Sequence, residues 1–583
     1  MKKHILMVYP EMPITYWGFE YALEFIEKKA SIPPLGLLTV AALLPGDYEV
    51  TLVDMNVSPL HREAVETSDM VFISAMIIQK RSFEEVVRLC KDCGKPVVAG
   101  GPYAISSHEK IQDVDHFVLD EAELTLPVFL EDLEAGCAKK VYRDAGKPDL
   151  KTTPLPRFDL IDVNDYDCMP LQYSRGCPYN CEFCDIISMF GRKQRTKSPG
   201  QLIREMEVVY ETGFRGALFL VDDNFVGNKR KAKELLRKIV EWQREKAYPF
   251  SFLTEASIDL AQDDELLDLM VEAGFDMVFI GVETPDEETL LAAQKRQNLK
   301  IDLIESIEKI QHRGIEVTAG FILGFDTDRE NIFDRQIQFI QKAAVPVAMV
   351  GLLAAVPDTD LYRRLEKENR ILSDPTGNNT HDFHLNFETI MPKDVLIEGY
   401  KRVLSEIYAP STYFTRCLNL LKRIPARLEH PARPVDMTQI KALFRSLKKQ
   451  TFSFYGWRYL SFLLKSLFIN IRQFPKTVTL AVKGHHFFLI TREILKADEF
   501  STALHRIMES MRSRSSEAVV GKSGSMAHEV LSYVHKVKIS LQKEYCRLSF
   551  GVQQYLKDSF DDFERLCERI VLELARLPLK DQP

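Results

Sequence analysis

Three cysteines fall within eight residues in "YSRGCPYNCEFCDI": Cys177, Cys181 and Cys184, in a chain that holds ten. The aromatic Phe183 directly precedes the last of them. Three thiolates on one short loop can fill three corners of a cubane 4Fe–4S cluster, whose usual ligand is cysteine thiolate. The fourth iron then has no protein ligand and is open to a small molecule. Structural zinc is the competing chemistry, and it wants four ligands. No fourth cysteine or histidine lies nearby; Cys168 is nine residues upstream, at the far end of a predicted strand. Arg175, Gly176 and Pro178 suit a loop that wraps a bulky inorganic group.

Such a loop needs strands to fix it. Six strand patterns run through this region: "MPLQYSRGC", "GALFLVDDNF", "PFSFLTEAS", "DMVFIGVET", "IEVTAGFILGF" and "VAMVGLLAAVP". Helix patterns such as "SPGQLIREMEVVYETG" separate them. Six repeats predict a curved partial barrel, and such barrels place chemistry at the carboxyl ends of their strands. The cysteine loop follows the first strand. Ahead of it "HILMVYP", "YEVTLVDMN", "MVFISAM", "PVVAGGP" and "HFVLDEAE" alternate with helices, the pattern of a doubly wound parallel sheet. Ligands of such sheets sit at the carboxyl ends. There the sequence offers Asp54, Asn56, Ser74, Ala75, Gly100, Gly101, Glu121 and Glu123. Small residues let a flat ligand approach the backbone, though they equally suit the tight turns of any such sheet. A nicotinamide fold would need G-x-G-x-x-G after the first strand, and "VYPEMPITYWG" lacks it. Cys90 and Cys93 form an incidental C-x-x-C at a helix end.

The predicted class is α/β: a Rossmann-like domain over 1–150, a partial (β/α)6 TIM-like barrel over 165–375, and a mostly helical, basic domain over 376–583. The length of 583 residues suits three or four folded units, and 45% hydrophobic with 27% charged residues excludes a largely disordered chain. No signal-peptide pattern and no run of about 18 apolar residues appears, so a cytoplasmic protein is expected, with reduced thiols. Charge is uneven. From Pro410 onward 29 Lys and Arg face 16 Asp and Glu, against 47 and 68 in the remainder. Within "FSFYGWRYLSFLLKSLFINIRQF", Trp457, Tyr459, Phe462 and Phe468 alternate with Arg458, Lys465 and Arg472. That interleaving suits a helix lying on an anionic bilayer, a nucleic-acid surface, or a helix packed on the barrel with a solvated basic face. Helices there are expected to break at "RIPARLEHPARPVD" and "RSRSSEAVVGKSGS". His381, His384, His485 and His486 are read as surface or capping residues.

The cysteine loop, its aromatic residue and its place after the first strand resemble the radical S-adenosylmethionine (SAM) enzymes. That resemblance implies that Cys177, Cys181 and Cys184 hold a 4Fe–4S cluster whose open iron chelates SAM, which is cleaved to a 5′-deoxyadenosyl radical. It maps SAM contacts onto Asp222, Asp223 and Asn224 of "VDDN", Glu255 and Ser257 of "TEAS", Glu283 of "GVET", and Gly320, Ile322 and Gly324 of "GFILGF". With a doubly wound domain in front, the chain is similar to the cobalamin-binding branch. No DxHxxG occurs, so cobalamin is expected without a histidine beneath it. "LQYSRGCPYNCEFCDIISMFGRKQRTKSP", "DDNFVGNK", "LTEASIDLA" and "FIGVETPDEETL" look like the branch that includes the hopanoid C-2 methylase and ends in a helical domain of unknown function. Relatives there commonly carry Pro-Gly-Thr after the sixth strand, where this chain has Pro357-Asp358-Thr359.

The resemblance implies a cobalamin-dependent C-methyltransferase acting on an unactivated carbon of an apolar, lipid-like substrate. Its partners would be that small molecule or lipid, a flavodoxin- or ferredoxin-type reductant and a peripheral membrane surface, with no nucleic acid. A cyclase or oxidase of the same layout is one alternative, and a cobalamin-binding sensor another. A methylthiotransferase would need further cluster ligands in its N-terminal domain, where only Cys90, Cys93 and Cys137 occur, with poor spacing.

Overall fold

The computed structural model describes residues 3–299, 301–380, 383–425, 437–521, 524–546, 548 and 550–575. Strand β1 (His4–Tyr9) is buried through its centre, as a parallel strand covered on both faces must be. It pairs in parallel with β2 (Glu49–Asp54) and β3 (Met70–Ser74), and β4 (Val97–Gly100), β5 (His116–Val118) and β6 (Val141–Tyr142) extend the sheet. The order is β2-β1-β3-β4-β5-β6, a doubly wound plan. Alternate residues of β1 feed the two cores: Leu6 and Val8 join Phe83 and Val86, while Ile5 and Met7 join Leu37 and Phe129. The two-residue β6 was not anticipated, being too short to carry a period.

The second sheet runs β7 (Cys168–Leu171), then β10 (Ala217–Leu220), β11 (Ser251–Ala256), β12 (Phe275–Glu283), β13 (Glu316–Leu323) and β14 (Ala348–Leu352), side by side in chain order and all parallel. This is the six-stranded partial barrel expected. Between β7 and β10 a small antiparallel hairpin, β8 (Ser174–Arg175) with β9 (Arg195–Thr196), brackets the cysteine loop. Burial alternates along β10 and β11. Leu218, Leu220, Phe252 and Thr254 are buried against the helical layer, while Phe219, Leu253 and Glu255 on the inner face stay partly accessible. Met277 and Phe279 of β12 continue that inner face. The inner face therefore carries Phe219, Leu253, Met277 and Phe279 together with Glu255.

At the opposite end Glu316, first residue of β13, is bridged by Lys476 (3.1 Å) and Lys483 (3.0 Å). Burial alone would raise its carboxyl, but the two ammonium groups hold it down at about 2. Helices Lys393–Ile407, Pro410–Arg423, Met437–Thr451 and Gly456–Ile469 follow the barrel. Phe414 stacks on Phe462 with ring centroids 4.7 Å apart, and the Tyr413 hydroxyl donates to the Leu480 carbonyl (2.8 Å). Arg445 of the third helix reaches back to the N-terminal region, donating to the Phe25 carbonyl (2.9 Å) and pairing with Glu27.

His485 and His486 are neither surface nor capping groups: both are buried, beside Phe25 and Phe19. Burial pushes their imidazoles down to about 4 and about 3, so they act as neutral core residues. His384 is exposed, as read, beside the Ser373 hydroxyl (2.8 Å); His381 lies outside the described residues. Tyr459 (0% exposed) and Phe462 (1%) also belong to the core, unlike Trp457 and Phe468 in the same helix.

The chain divides into a unit over Met1–His486 and a second over Phe487–Pro583. The second contains the remainder of the helix Phe474–Gly521, then Gly524–Tyr545 and Phe550–Ala575, around Leu504, Met511, Val534, Phe563 and Ile570. The expected break at "RSRSSEAVVGKSGS" is not seen through Gly521, where the chain is helical; residues 522–523, and 426–436 of "RIPARLEHPARPVD", lie outside the described residues. Among the described residues no helix is long and apolar enough to cross a membrane.

After β14 the chain turns at Asp358, which takes a left-handed φ of 65°. Its carbonyl accepts from the Ser188 hydroxyl (2.7 Å) and Arg363 (3.0 Å), tying the turn to the helix that follows the cysteines. The left-handed turn is thus made by an aspartate, one of the residues that tolerates this region. Asp358→Gly is expected to raise stability by about 1 kcal/mol, read as a higher thermal midpoint. A lower midpoint would mean that the side chain contributes more than its backbone conformation costs.

Candidate functional site

Gly176 opens the cysteine loop at φ +91°, where a Cβ would lie 2.7 Å from the Gly191 carbonyl oxygen. The loop is pinned from below. Asp222, just past the end of β10, accepts from the Tyr173 N–H (2.8 Å) and the Ser174 hydroxyl (2.5 Å), and Asp223 accepts from the Gly176 N–H (2.8 Å). Burial raises both carboxyls, to about 7 and about 6. Asp222 has both oxygens engaged within the protein, so this predicted SAM contact is a brace for the loop. Asn224 donates from Nδ2 to the Cys177 sulfur (3.9 Å) and to the Ser257 hydroxyl (3.2 Å), linking β10, β11 and the loop.

The Glu283 carboxylate at the end of β12 is bound by Lys295 at 2.6 Å. Gly281 makes room for the pair: a Cβ there would lie 2.5 Å from Glu283 Oε1 and 2.7 Å from Lys295 Nζ. Burial works against the charge on Lys295, yet Glu283 with Cys181 and Cys184 keeps it protonated. Gln297 donates from Nε2 to the Cys181 sulfur (3.5 Å), and its Oε1 is buried without a protein partner among the described residues. Neither Lys295 nor Gln297 was anticipated; "QKRQN" follows no strand and matches no motif. Glu255 stands between Asp223 and Glu283 with its carboxyl raised to about 7 by burial and then by those neighbours. Gly320 lies on β13 beside Phe279, Ile322 packs toward Phe183 and Phe325, and the Gly324 N–H donates to Asp328 (2.8 Å) at a turn of φ +104°.

This donor set fits a thiolate-held cluster. Amide donors on two sulfurs and an ammonium beside two stabilise the deprotonated form, and hydrogen bonds to cluster sulfurs set its potential. Burial raises the Cys184 thiol to about 12 and also raises Cys177, so ionisation here calls for a bound metal. Among the described residues no trio of His, Cys, Asp and Glu is gathered as a single metal ion requires.

The first sheet's predicted contacts divide. Ser74 and Gly100 end β3 and β4, and Gly101 opens the helix that follows. Asp54 is buried at the end of β2 and engaged by Asn56 (2.7 Å) and the Tyr166 hydroxyl (3.0 Å). Glu121 and Glu123, read as cofactor contacts, pair with arginines of the barrel. Arg175 pairs with Glu121 (2.7 Å) and Glu123 (2.9 Å), and Arg195 pairs with Glu121 (2.8 Å). The carboxylates that follow β5 thus clamp the hairpin carrying the cysteine loop. Gly377 against Ile77, and Lys110 with Asp374 (2.5 Å), join the same two domains elsewhere.

Residues 26–130 match the B12 binding domain family, 171–340 the radical SAM superfamily, and 359–499 a domain of unknown function, DUF4070. An uncharacterized methyltransferase of Synechocystis is 41% identical over 500 residues, 85% of this chain and 92% of its own. The hopanoid C-2 methylase of Rhodopseudomonas palustris is 32% identical over 437 residues, 74% of this chain and 82% of its own. The solved structure of the cobalamin-dependent SAM radical enzyme OxsB, with aqua-cobalamin bound, shares the fold at TM-score 0.55 and 16% identity, covering 85% of this chain and 80% of that one. Identity at the level of the first two, over most of both chains, places the protein among the cobalamin-dependent radical SAM methyltransferases, enzymes whose cofactors are a 4Fe–4S cluster, SAM and cobalamin.

Proposed function

We propose that the protein methylates an unactivated carbon of an apolar, polycyclic or lipid-like molecule, of the hopanoid kind that its 32% identical relative is named for. The observation that carries this reading is the aromatic and aliphatic lining of the barrel's inner face. Phe219, Leu253, Met277 and Phe279 remain partly accessible there, with Trp17 set edge-on to Phe279 at 5.7 Å. Aromatic and aliphatic walls bind an apolar body and offer a polar one nothing to pair with.

In this reading the cofactors, when bound, supply a hydrogen-abstracting radical from SAM and a methyl group from cobalamin. Cys177, Cys181 and Cys184 hold the cluster, with Asn224 and Gln297 donating to two of their sulfurs. Glu255 and the Glu283–Lys295 pair receive the charged end of SAM, and Asp222 and Asp223 keep the loop in place. Ser74, Gly100 and Gly101 present a flat edge to cobalamin. The working parts are residues 1–150 for cobalamin and 165–375 for the cluster and SAM, with 376–583 as the mostly helical, basic C-terminal part. A flavodoxin- or ferredoxin-type protein delivers the electron.

The test feeds methyl-deuterated methionine to cells with and without the gene and examines total lipids by mass spectrometry. A labelled lipid present only with the gene is the expected result. Lipids free of gene-dependent label overturn the reading. In the purified enzyme, 5′-deoxyadenosine formed without S-adenosylhomocysteine would turn it toward a cyclase or oxidase.

A further inference from the structure

From Met437 to Arg492 the chain carries ten Lys and Arg and no Asp or Glu. The helices Met437–Thr451 and Gly456–Ile469 in this stretch show an unusual outer face. Tyr459, Phe462 and Leu463 are turned into the core, yet Trp457 is 83% exposed, Leu464 60% and Phe468 91%. At 3.6 residues per turn these three fall within about 40° of one another around the helix. Lys465 and Arg458 flank them on one side, both exposed. The neighbouring helix repeats the arrangement, with Met437, Ile440 and Phe444 exposed beside Lys441 and Lys448. Phe452 (87%) and Ile471 (71%) extend the apolar surface beyond the ends of these helices.

We propose that this face seats the enzyme on the surface of an anionic lipid bilayer. Exposed apolar groups on this scale mark a binding surface, and the choice of occupant follows from charge. A second copy would bring cation against cation. Nucleic acid would satisfy the cations and stack on the aromatics, but gives Met437, Leu464 and Ile471 nothing. A bilayer satisfies all of them: apolar side chains enter the acyl boundary, Trp457 takes the headgroup level, and the lysines and arginines meet lipid phosphates. Arg445 and Lys449 are already paired with Glu27 and Glu24, so the attraction rests on Lys441, Lys448, Arg458, Lys465 and Arg472. The inference deepens the proposed function by supplying a route for a membrane-borne substrate, but its test needs neither substrate nor turnover.

The experiment floats the full-length holoenzyme with phosphatidylcholine vesicles, plain or containing phosphatidylglycerol. Binding to the anionic vesicles is expected, falling about tenfold in Trp457→Ser/Phe468→Ser and by a similar factor in Arg458→Glu/Lys465→Glu. The altered side chains face solvent, so melting curves should not move. Trp457 is one of three tryptophans and the most exposed, so its emission should shift to the blue on binding and be quenched by brominated lipid. No flotation with anionic vesicles overturns the proposal, as does flotation that both double variants retain in full. Dimerisation lost in Trp457→Ser/Phe468→Ser, or tight binding to single-stranded nucleic acid in place of vesicles, would reassign the face.

Discussion

Cys181→Ser is expected to yield a folded protein that holds little iron after anaerobic reconstitution and cleaves SAM at least about a thousandfold more slowly. Cys181 is half-buried on its loop, and its sulfur receives Gln297 Nε2 at 3.5 Å. The packing lost is small, so the melting curve should move little. The chemistry lost is large. A serine hydroxyl stays protonated and hard where the cluster needs a thiolate, and Lys295 and Gln297 then stabilise a charge that no longer forms. Iron and sulfide content, visible absorbance and 5′-deoxyadenosine formation measure the outcome. Cobalamin retention should be unchanged, since its sheet is a separate domain. Full iron content in the variant would move the cluster elsewhere. A cobalamin-dependent response that survives while SAM cleavage is lost would favour a sensor.

Glu121→Gln is expected to destabilise the protein by about 3 kcal/mol and to separate two activities that normally run together. The Glu121 side chain is 3% exposed and faces Arg175 and Arg195, which are 11% and 14% exposed. Neutralising it leaves two guanidinium groups near each other with only Glu123 between them and solvent. Glu123 shows how the cluster is balanced: burial would raise its carboxyl, and Arg175 brings it below the ordinary value. Arg175 lies two residues before Cys177, so loosening the clamp lets the cysteine loop shift against the first sheet. Methyl transfer, which needs both domains in register, should fall about tenfold or more, whereas SAM cleavage, which needs the barrel alone, should fall less. Thermal melting with parallel quantification of methylated product and 5′-deoxyadenosine tests this. Equal losses in both would reduce the clamp to a purely stabilising role.

What was legible in the sequence was what repeats or stands close together. All six barrel strands and five of the first sheet's six were readable because buried parallel strands are short apolar runs at regular intervals. The triad was readable because its three residues lie on one loop. Lys295 and Gln297 were not, since they reach the cysteines across more than a hundred residues from a segment with no period. Glu121 and Glu123 were read from their place after β5; only the fold shows that they also pair with Arg175 and Arg195 of the cysteine hairpin. The histidine pair was misplaced for the opposite reason: polar residues were assigned to the surface, and the core accepts them when a hydrogen bond is available. His486 has the Tyr16 carbonyl at 3.2 Å.

The bond from Arg445 to Phe25 closes a loop of 420 residues, and His486 against Tyr16 closes one of 470. During synthesis the first of these partners leaves the ribosome on the order of tens of seconds before the second exists. Throughout that interval Phe25 and the aromatic residues around it have no core to enter. The domain nearest the N-terminus can form its sheet early but cannot finish its own surface until nearly five-sixths of the chain has emerged. Yield should therefore depend on translation speed and chaperone supply more steeply than on the final stability of the fold, and a truncation that removes the segment from Met437 to His486 would damage the first domain to be made.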